Sequence, residues 1–202
     1  MKKTDSIWLA VVIAVLAFVS IAGVAIAQGA VKVGATAEPA EDRAKTLIVY
    51  FSASGNTEKM AAYIHEIVGG DMVELTPVIA YPTEYNALAD YAKKEQNQDL
   101  RPSFEALDVD PTKYETVFIG YPIWWYTVPQ MILTFFDTYD FKDVTLIPFN
   151  THHGSRDSGT YKLIQTLEPE ATVLDGLALR GVDIDRDDSA RAVKEWLADL
   201  GY

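Results

Sequence analysis

Two kinds of hydrophobic pattern share this chain. From Ser6 to Val31 the sequence SIWLAVVIAVLAFVSIAGVAIAQGAV is apolar almost throughout, and no charge falls between Asp5 and Lys32. Beyond Lys45, short apolar runs alternate with amphipathic stretches. Residues 46–51 (TLIVYF) are β-branched, aromatic and continuous, as in a strand covered on both faces. Met60, Ile64, Ile67 and Val68 then fall on one helical stripe, which Gly69 and Gly70 end. The pattern predicts further strands at 72–75, 116–120 and 145–150, and a fifth within 171–181. Between the third and fourth, Val128, Ile132, Phe135, Phe136 and Tyr139 space as a helix face, with Pro129 suited to its first turn. Another helix is predicted over 161–167. The last helix carries Val193, Trp196, Leu197 and Leu200 on one side, with Asp187, Asp188 or Ser189 placed to cap it.

Strands and helices in alternation predict an α/β domain: a doubly wound parallel sheet with right-handed crossovers and helices on both faces. Ligands of such sheets sit beyond the carboxyl ends of the strands, where the winding reverses. Three loops leave carboxyl ends here: SASGNT (52–57), YPIWWYTVP (121–129) and THHGSRDSG (151–159). If the first, third and fourth strands are neighbours, these loops converge on one cleft. The segment 76–114 is longer than a plain connection, and two readings fit it: a short helix over 85–94 that overhangs that cleft as a substrate pocket, or surface decoration.

The N-terminal run is long enough to cross a bilayer. Two readings fit it: an uncleaved anchor over 1–27, or a signal peptide cut after Ala27, where Ala25–Ile26–Ala27 has the small-x-small form. Under either, Lys2 and Lys3 hold the short end in the cytoplasm and everything beyond lies outside. The protein is then membrane-bound through its N-terminal helix, or secreted if cleaved. Residues 28–44 are small, polar and without period, so they read as a tether, with the folded domain over 45–202.

Composition narrows the chemistry. At 202 residues and 49% hydrophobic, the chain can bury one sizeable core. It has no cysteine, which excludes disulfides, thiolate nucleophiles and thiolate metal sites, so any redox chemistry must come from a bound cofactor. Its four basic and four acidic residues before Lys45 cancel, so the whole net charge of −12 belongs to the domain. Nucleic acid is excluded as a partner on that charge.

Ser52, Ser54, Gly55, Asn56 and Thr57 precede a predicted helix. Its unpaired amides and partial positive charge, with hydroxyl donors added, make a phosphate cradle that needs no cation. The same residues also suit plain helix capping. No Gly-Lys-Ser/Thr follows, so this is not a P-loop. In the second loop, Tyr121, Trp124, Trp125 and Tyr126 offer flat surfaces for a flat ligand, and two tryptophans in tandem can hardly both point inward. The third loop supplies amides, Thr151, Ser155, His152 and His153. A Ser155–His153–Asp157 triad is set aside because the three crowd within five residues and no nucleophile elbow exists. Adjacent histidines without a third ligand make no metal site. DIDRDD (183–188) fails the calcium-loop pattern, with Asp188 at its glycine position and Lys194 at its closing glutamate. No catalytic side chain is assigned.

LIVYFSASGNTEKMA resembles the phosphate-binding signature of the flavodoxin family, Thr/Ser-x-Thr/Ser-Gly-x-Thr, which Ser52, Ser54, Gly55, Asn56 and Thr57 follow position by position. FIGYPIWWYTVP resembles the family's second loop, most closely in flavodoxin-like oxidoreductases with a Pro-x-Trp-Trp stretch, and PFNTHHGS resembles the third. The resemblance covers 45–202. It implies a five-stranded sheet of order 2-1-3-4-5, for which flavodoxin is itself the reference case. It further implies FMN, with its phosphate on Ser52–Thr57. The ring would lie between Pro122, Ile123, Trp124, Trp125 and Tyr126 on one side and Thr151, His152, Gly154 and Ser155 on the other. The function implied is electron transfer to a redox partner protein or a small acceptor such as a quinone. Two alternatives stand beside it: an FMN-dependent NAD(P)H:quinone-type oxidoreductase, and a flavin-free binding module on the same fold.

Overall fold

The structure, a computed structural model, describes residues 44–202. The anchor or signal segment and most of the tether lie outside the described residues. Strand β1 (Ala44–Tyr50) is followed by α1 (Asn56–Val68), β2 (Asp71–Glu74) and α2 (Tyr85–Asn97). Then come β3 (Tyr114–Pro122), α3 (Gln130–Thr138), β4 (Thr145–His152) and α4 (Thr160–Leu167). The domain ends with β5 (Thr172–Val173), β6 (Leu177–Arg180) and α5 (Asp187–Asp199). All pairings are parallel, in the order β2-β1-β3-β4-β5.

Period-two alternation assigns the two faces of the sheet. Leu47, Val49 and Phe51 point to one side, where Met131, Ile132 and Phe135 of α3 and Ile164 of α4 cover them. Ile48 and Tyr50 point to the other, against Met60, Ala61 and Ile64 of α1 and Val193 and Leu197 of α5. Both faces of β1 are therefore dry, which is why its sequence reads as an unbroken apolar run.

The structure departs from the sequence pattern in three respects. The fifth strand position is filled by two segments, β5 opposite Thr145–Leu146 and β6 opposite Phe149–His152. The break leaves Leu174, Asp175 and Gly176 facing Ile147 and Pro148, an extra residue beside a proline that cannot donate to a ladder. Next, β3 and β4 each run two residues past their predicted ends, pairing Tyr121 with Asn150 and Pro122 with Thr151. Finally, none of Asp187, Asp188 and Ser189 caps α5. Arg186 holds the N-cap position without a side-chain bond, and the Ser189 hydroxyl donates to the Asp183 carbonyl at 2.8 Å. Asp187 and Asp188 lie in the first turn, where their charge acts on the helix dipole instead.

Gly120 of β3 lies where the ring of Phe149 crosses the sheet, and a Cβ there would run into that ring. Gly120→Ala is expected to lower stability by about 1–3 kcal/mol in urea melts, as overpacking does. Adding Phe149→Leu should recover part of the loss, because the two sites share one space.

Candidate functional site

Beyond Tyr50 the chain turns through Ser52–Gly55 into α1. Gly55 holds the N-cap position with φ 80°, and no side chain caps the helix. The plain capping role is therefore not what these residues perform. Asn56 instead donates through Nδ2 to Ser54 Oγ at 3.3 Å. Thr57 is buried, its hydroxyl 2.8 Å from that of Thr151, so the first and third loops are tied beneath the surface. Ser52 Oγ is buried with no hydrogen-bond partner, the only such side-chain atom among the described residues. An orphaned hydroxyl costs roughly 1–3 kcal/mol. Beside it, the first-turn amides of α1 have no partner within the helix.

The second loop is a tight two-residue hairpin. Trp124 and Thr127 exchange both backbone bonds at 3.0 Å, while Trp125 and Tyr126 between them have φ of 47° and 63°. Positive φ at both central positions is the geometry that Asn and Gly ordinarily occupy, and it costs about 1–2 kcal/mol per bulky residue. The turn separates the two tryptophans. Trp124 packs inward, edge-on to Phe51 at 5.4 Å and Tyr81 at 5.1 Å. Trp125 turns outward to α2, its Nε1 donating to the Ala89 carbonyl at 2.8 Å, with Lys93 Nζ 5.0 Å from the ring centre. Gln96 Nε2 donates to the Trp125 carbonyl at 3.3 Å. Tyr126 is 75% exposed. Tyr121 does not join this wall: it is a fully buried β3 residue whose hydroxyl donates to Thr160 Oγ1 at 2.9 Å.

The third loop rests on buried Asn150, which donates to the Arg156 carbonyl at 3.2 Å and accepts from the Tyr161 hydroxyl at 2.7 Å. The Gly154 amide donates to His152 Nδ1 at 2.8 Å, so the ring proton sits on Nε2. Burial, then the charges of Arg180 and Arg156, hold this imidazole below its usual range and keep it neutral at pH 7. The Asp157 carboxylate accepts from the Gly159 amide at 2.9 Å, and no hydrogen bond joins Ser155, His153 and Asp157 among the described residues.

These loops line one cleft of about 880 Å³ at the carboxyl ends of β1, β3 and β4. Of the residues singled out in the sequence, Ser54, Asn56, Pro122, Ile123, Trp124, Trp125, Tyr126, Thr151, His152, Gly154 and Ser155 face it. Ser52, Gly55 and Thr57 belong to the same turn but are not among the residues that line it. The predicted overhang is present, three residues longer than expected: Tyr85, Asn86, Leu88, Ala89, Asp90 and Ala92 of α2 form a wall. His153 of the third loop and Ala53 of the first also line the cleft, and Gly181 and Val182 complete the lining without a sequence signal of their own. Gly181 admits the side chain of Asn56, whose Nδ2 lies 2.7 Å from where a Cβ would stand.

Residues 45–200 match the family model for flavodoxins. A search of curated proteins gives no match. Among solved structures, a protein described as a flavoprotein from Bacteroides uniformis is 32% identical with a TM-score of 0.67, covering 77% of this chain and 99% of that one. A second, from Bacteroides eggerthii, is 29% identical with a TM-score of 0.68, covering 79% and 99%. A Lactobacillus acidophilus flavoprotein solved in complex with FMN is 23% identical with a TM-score of 0.58, covering 71% and 97%.

Behind the aromatic turn, Tyr81 contacts Trp124 and donates its hydroxyl to Glu95 Oε2 at 3.1 Å. Glu95 is only 4% exposed, and burial raises its carboxyl above the ordinary 4.5, partly opposed by that bond. A carboxyl raised in the folded state opposes folding increasingly as pH climbs through 4.5 and up to the folded value. Glu95→Gln keeps an acceptor for Tyr81 and removes the charge. Urea melts are expected to show it more stable than the wild type at pH 7, with the difference vanishing well below pH 4.5.

Proposed function

The chain belongs to the flavodoxin family, and from that premise we propose that its cleft binds FMN and that the protein transfers electrons outside the cytoplasmic membrane, held there by residues 1–27. Bound FMN would supply the one- and two-electron chemistry that a chain without cysteine lacks. The observation that carries this reading is the buried, unpartnered hydroxyl of Ser52, next to a helix N-terminus that no side chain caps. Donors left unused in a folded protein are what an oxyanion recovers. A flavin-free docking module has no need of them.

The chain's own residues divide the work. Ser52, Ser54, Asn56 and Thr57, with the first amides of α1, hold the phosphate. Gly55 lets the backbone turn without placing a side chain there. Trp124, Trp125 and Tyr126 form one wall for the ring, with Pro122 and Ile123 at its base. Thr151, His152, Gly154 and Ser155 form the other. His152, neutral and with its proton on Nε2, offers a donor toward that side. The family resemblance, and FMN in the Lactobacillus protein of the same fold, support the assignment. The net charge of −12 opposes adding negative charge to a bound flavin and lowers its potential relative to free FMN. A redox titration of the loaded protein reads that shift directly.

The test is the visible spectrum of the purified full-length protein, with chromatography of what heat releases. FMN is expected, and a colourless protein that takes up no added FMN overturns the reading. Ser52→Ala should move two quantities in opposite directions. The apo protein gains about 1 kcal/mol by losing an orphaned hydroxyl, whereas FMN affinity falls about tenfold.

A further inference from the structure

The two tryptophans of the cleft wall differ in what stands behind them. Trp125 makes no aromatic ring contact among the described residues, only the bonds to α2 given above. Trp124 is the first of a series of rings. It meets Tyr81 edge-on at 5.1 Å and 79°, and Tyr81 meets Tyr91 edge-on at 5.6 Å and 88°. Phe51 closes the group from the end of β1, 5.4 Å from Trp124 and 5.5 Å from Tyr81. Trp124 lines the cleft, whereas Tyr81 and Tyr91 do not. The series therefore leads from the cleft wall through the interior to a half-buried tyrosine on α2.

Apolar packing explains rings in contact, but not the group at the middle of the series. The Tyr81 hydroxyl donates to Glu95 Oε2 at 3.1 Å, and Glu95 is buried. The Tyr81 phenol is the titratable group facing that carboxyl, with Tyr91 one turn earlier on the same helix. No lysine or arginine pairs with it among the described residues. A buried carboxylate without a cation is a cost that filling the core does not require. It is, however, what an oxidisable phenol needs: tyrosine gives up an electron readily only when its proton leaves at the same time, and a bonded carboxylate takes that proton. Trp124 Nε1 finds no acceptor among the described residues, so nothing in the protein draws off the proton of an oxidised indole. With no cysteine in the chain, single-electron oxidation falls on tryptophan and tyrosine.

We propose that Trp124, Tyr81 and Tyr91 form a relay that carries single oxidising equivalents out of the cleft, with Glu95 as the proton acceptor for Tyr81. A small one-electron radical in the cleft takes an electron from the Trp124 indole. Tyr81 returns an electron to Trp124 while its phenolic proton passes to Glu95, leaving a neutral tyrosyl radical beside a carboxylic acid. Tyr91 then gives an electron to Tyr81, which recovers its proton from Glu95, and the Tyr91 proton leaves to water. The radical has been reduced by one electron and Tyr91 oxidised by one, with Trp124, Tyr81 and Glu95 restored. The relay is a property of the chain and does not depend on FMN being the ligand of the cleft.

The experiment is pulse radiolysis of the full-length protein with azide radicals, which oxidise indoles, following the tryptophanyl and tyrosyl absorbances. Wild type is expected to convert the first into the second in a fast phase whose rate is independent of protein concentration. Tyr81→Phe and, separately, Trp124→Phe should remove that phase. Glu95→Gln keeps both rings and an acceptor for Tyr81 but cannot take its proton, and it should slow the transfer about a hundredfold. In wild type the transfer should also slow as pH falls toward the Glu95 value above 4.5, where the carboxyl is already protonated, while Glu95→Gln shows no such step. A structural role for Glu95 would not produce that step. A fast phase that survives Tyr81→Phe overturns the relay, and so does Glu95→Gln transferring as fast as wild type at pH 7. Urea melts confirm that each variant is folded, and should Tyr81→Phe fail to fold, the Glu95→Gln comparison decides.

Discussion

Strand β1 lies between β2 and β3 with helices on both of its faces, so its covered stretch from Leu47 on can neither tolerate a charge nor end in a side-chain-rich turn inside the sheet. After Thr46 the next hydroxyl-bearing turn residue comes only where the carboxyl edge is reached, at Ser52. Because β2 is laid down on one side of β1 and β3 on the other, the crossovers diverge at this edge, and no connection closes over it. The cleft is what remains. Its first loop inherits the geometry of that exit: a short turn, a left-handed Gly55 and an immediate helix.

That exit also explains why the loop chemistry is uncharged. The amides at the start of α1 provide the attraction for an anion, and a side-chain cap would consume them. Ser54 and Asn56 bond to each other and Thr57 reaches across to Thr151, so the polar side chains of the turn leave the helix end alone. The Thr57–Thr151 contact also joins β1's turn to the end of β4, which makes the first and third loops one unit. Asn150 and Tyr161 fix the third loop from beneath, and both side chains are committed within the protein.

The sequence pattern made the sheet legible wherever burial was symmetrical. Leu47 to Phe51 and Val117 to Gly120 announce strands because nothing else tolerates such runs. It failed at strand ends: Tyr121, Pro122, Thr151 and His152 look like turn residues, yet the β3–β4 ladder continues through them. A parallel ladder accepts polar side chains once they project past the helices, and no local signal marks that point. The three loops were readable through their composition. Orphaned Ser52 was legible as a residue but not as an unpaired one, since its isolation depends on neighbours from other strands. Gly181 and Val182 carried no signal because their role depends on β6 ending beside Asn56. The split at Gly176 is recognisable only once Pro148 is known to lie opposite.

The tandem tryptophans show how local strain and long-range contact are joined. An extended Trp124–Trp125 pair would send one ring into the core and the other to the opposite side of the strand. The left-handed pair Trp125–Tyr126 reverses the chain instead, so Trp124 fills the space between Phe51 and Tyr81 while Trp125 is delivered to α2. Two bulky residues at positive φ stay there only if contacts elsewhere over-determine the turn. Trp125 has these in Ala89, Lys93 and Gln96, and Tyr126 has none among the described residues. The strain at Tyr126 is thus held by its neighbour's anchoring, and its exposed ring is free to meet whatever enters the cleft. The long excursion carrying α2 supplies those anchors, so the segment least required by the sheet is the one that fixes the shape of the aromatic wall.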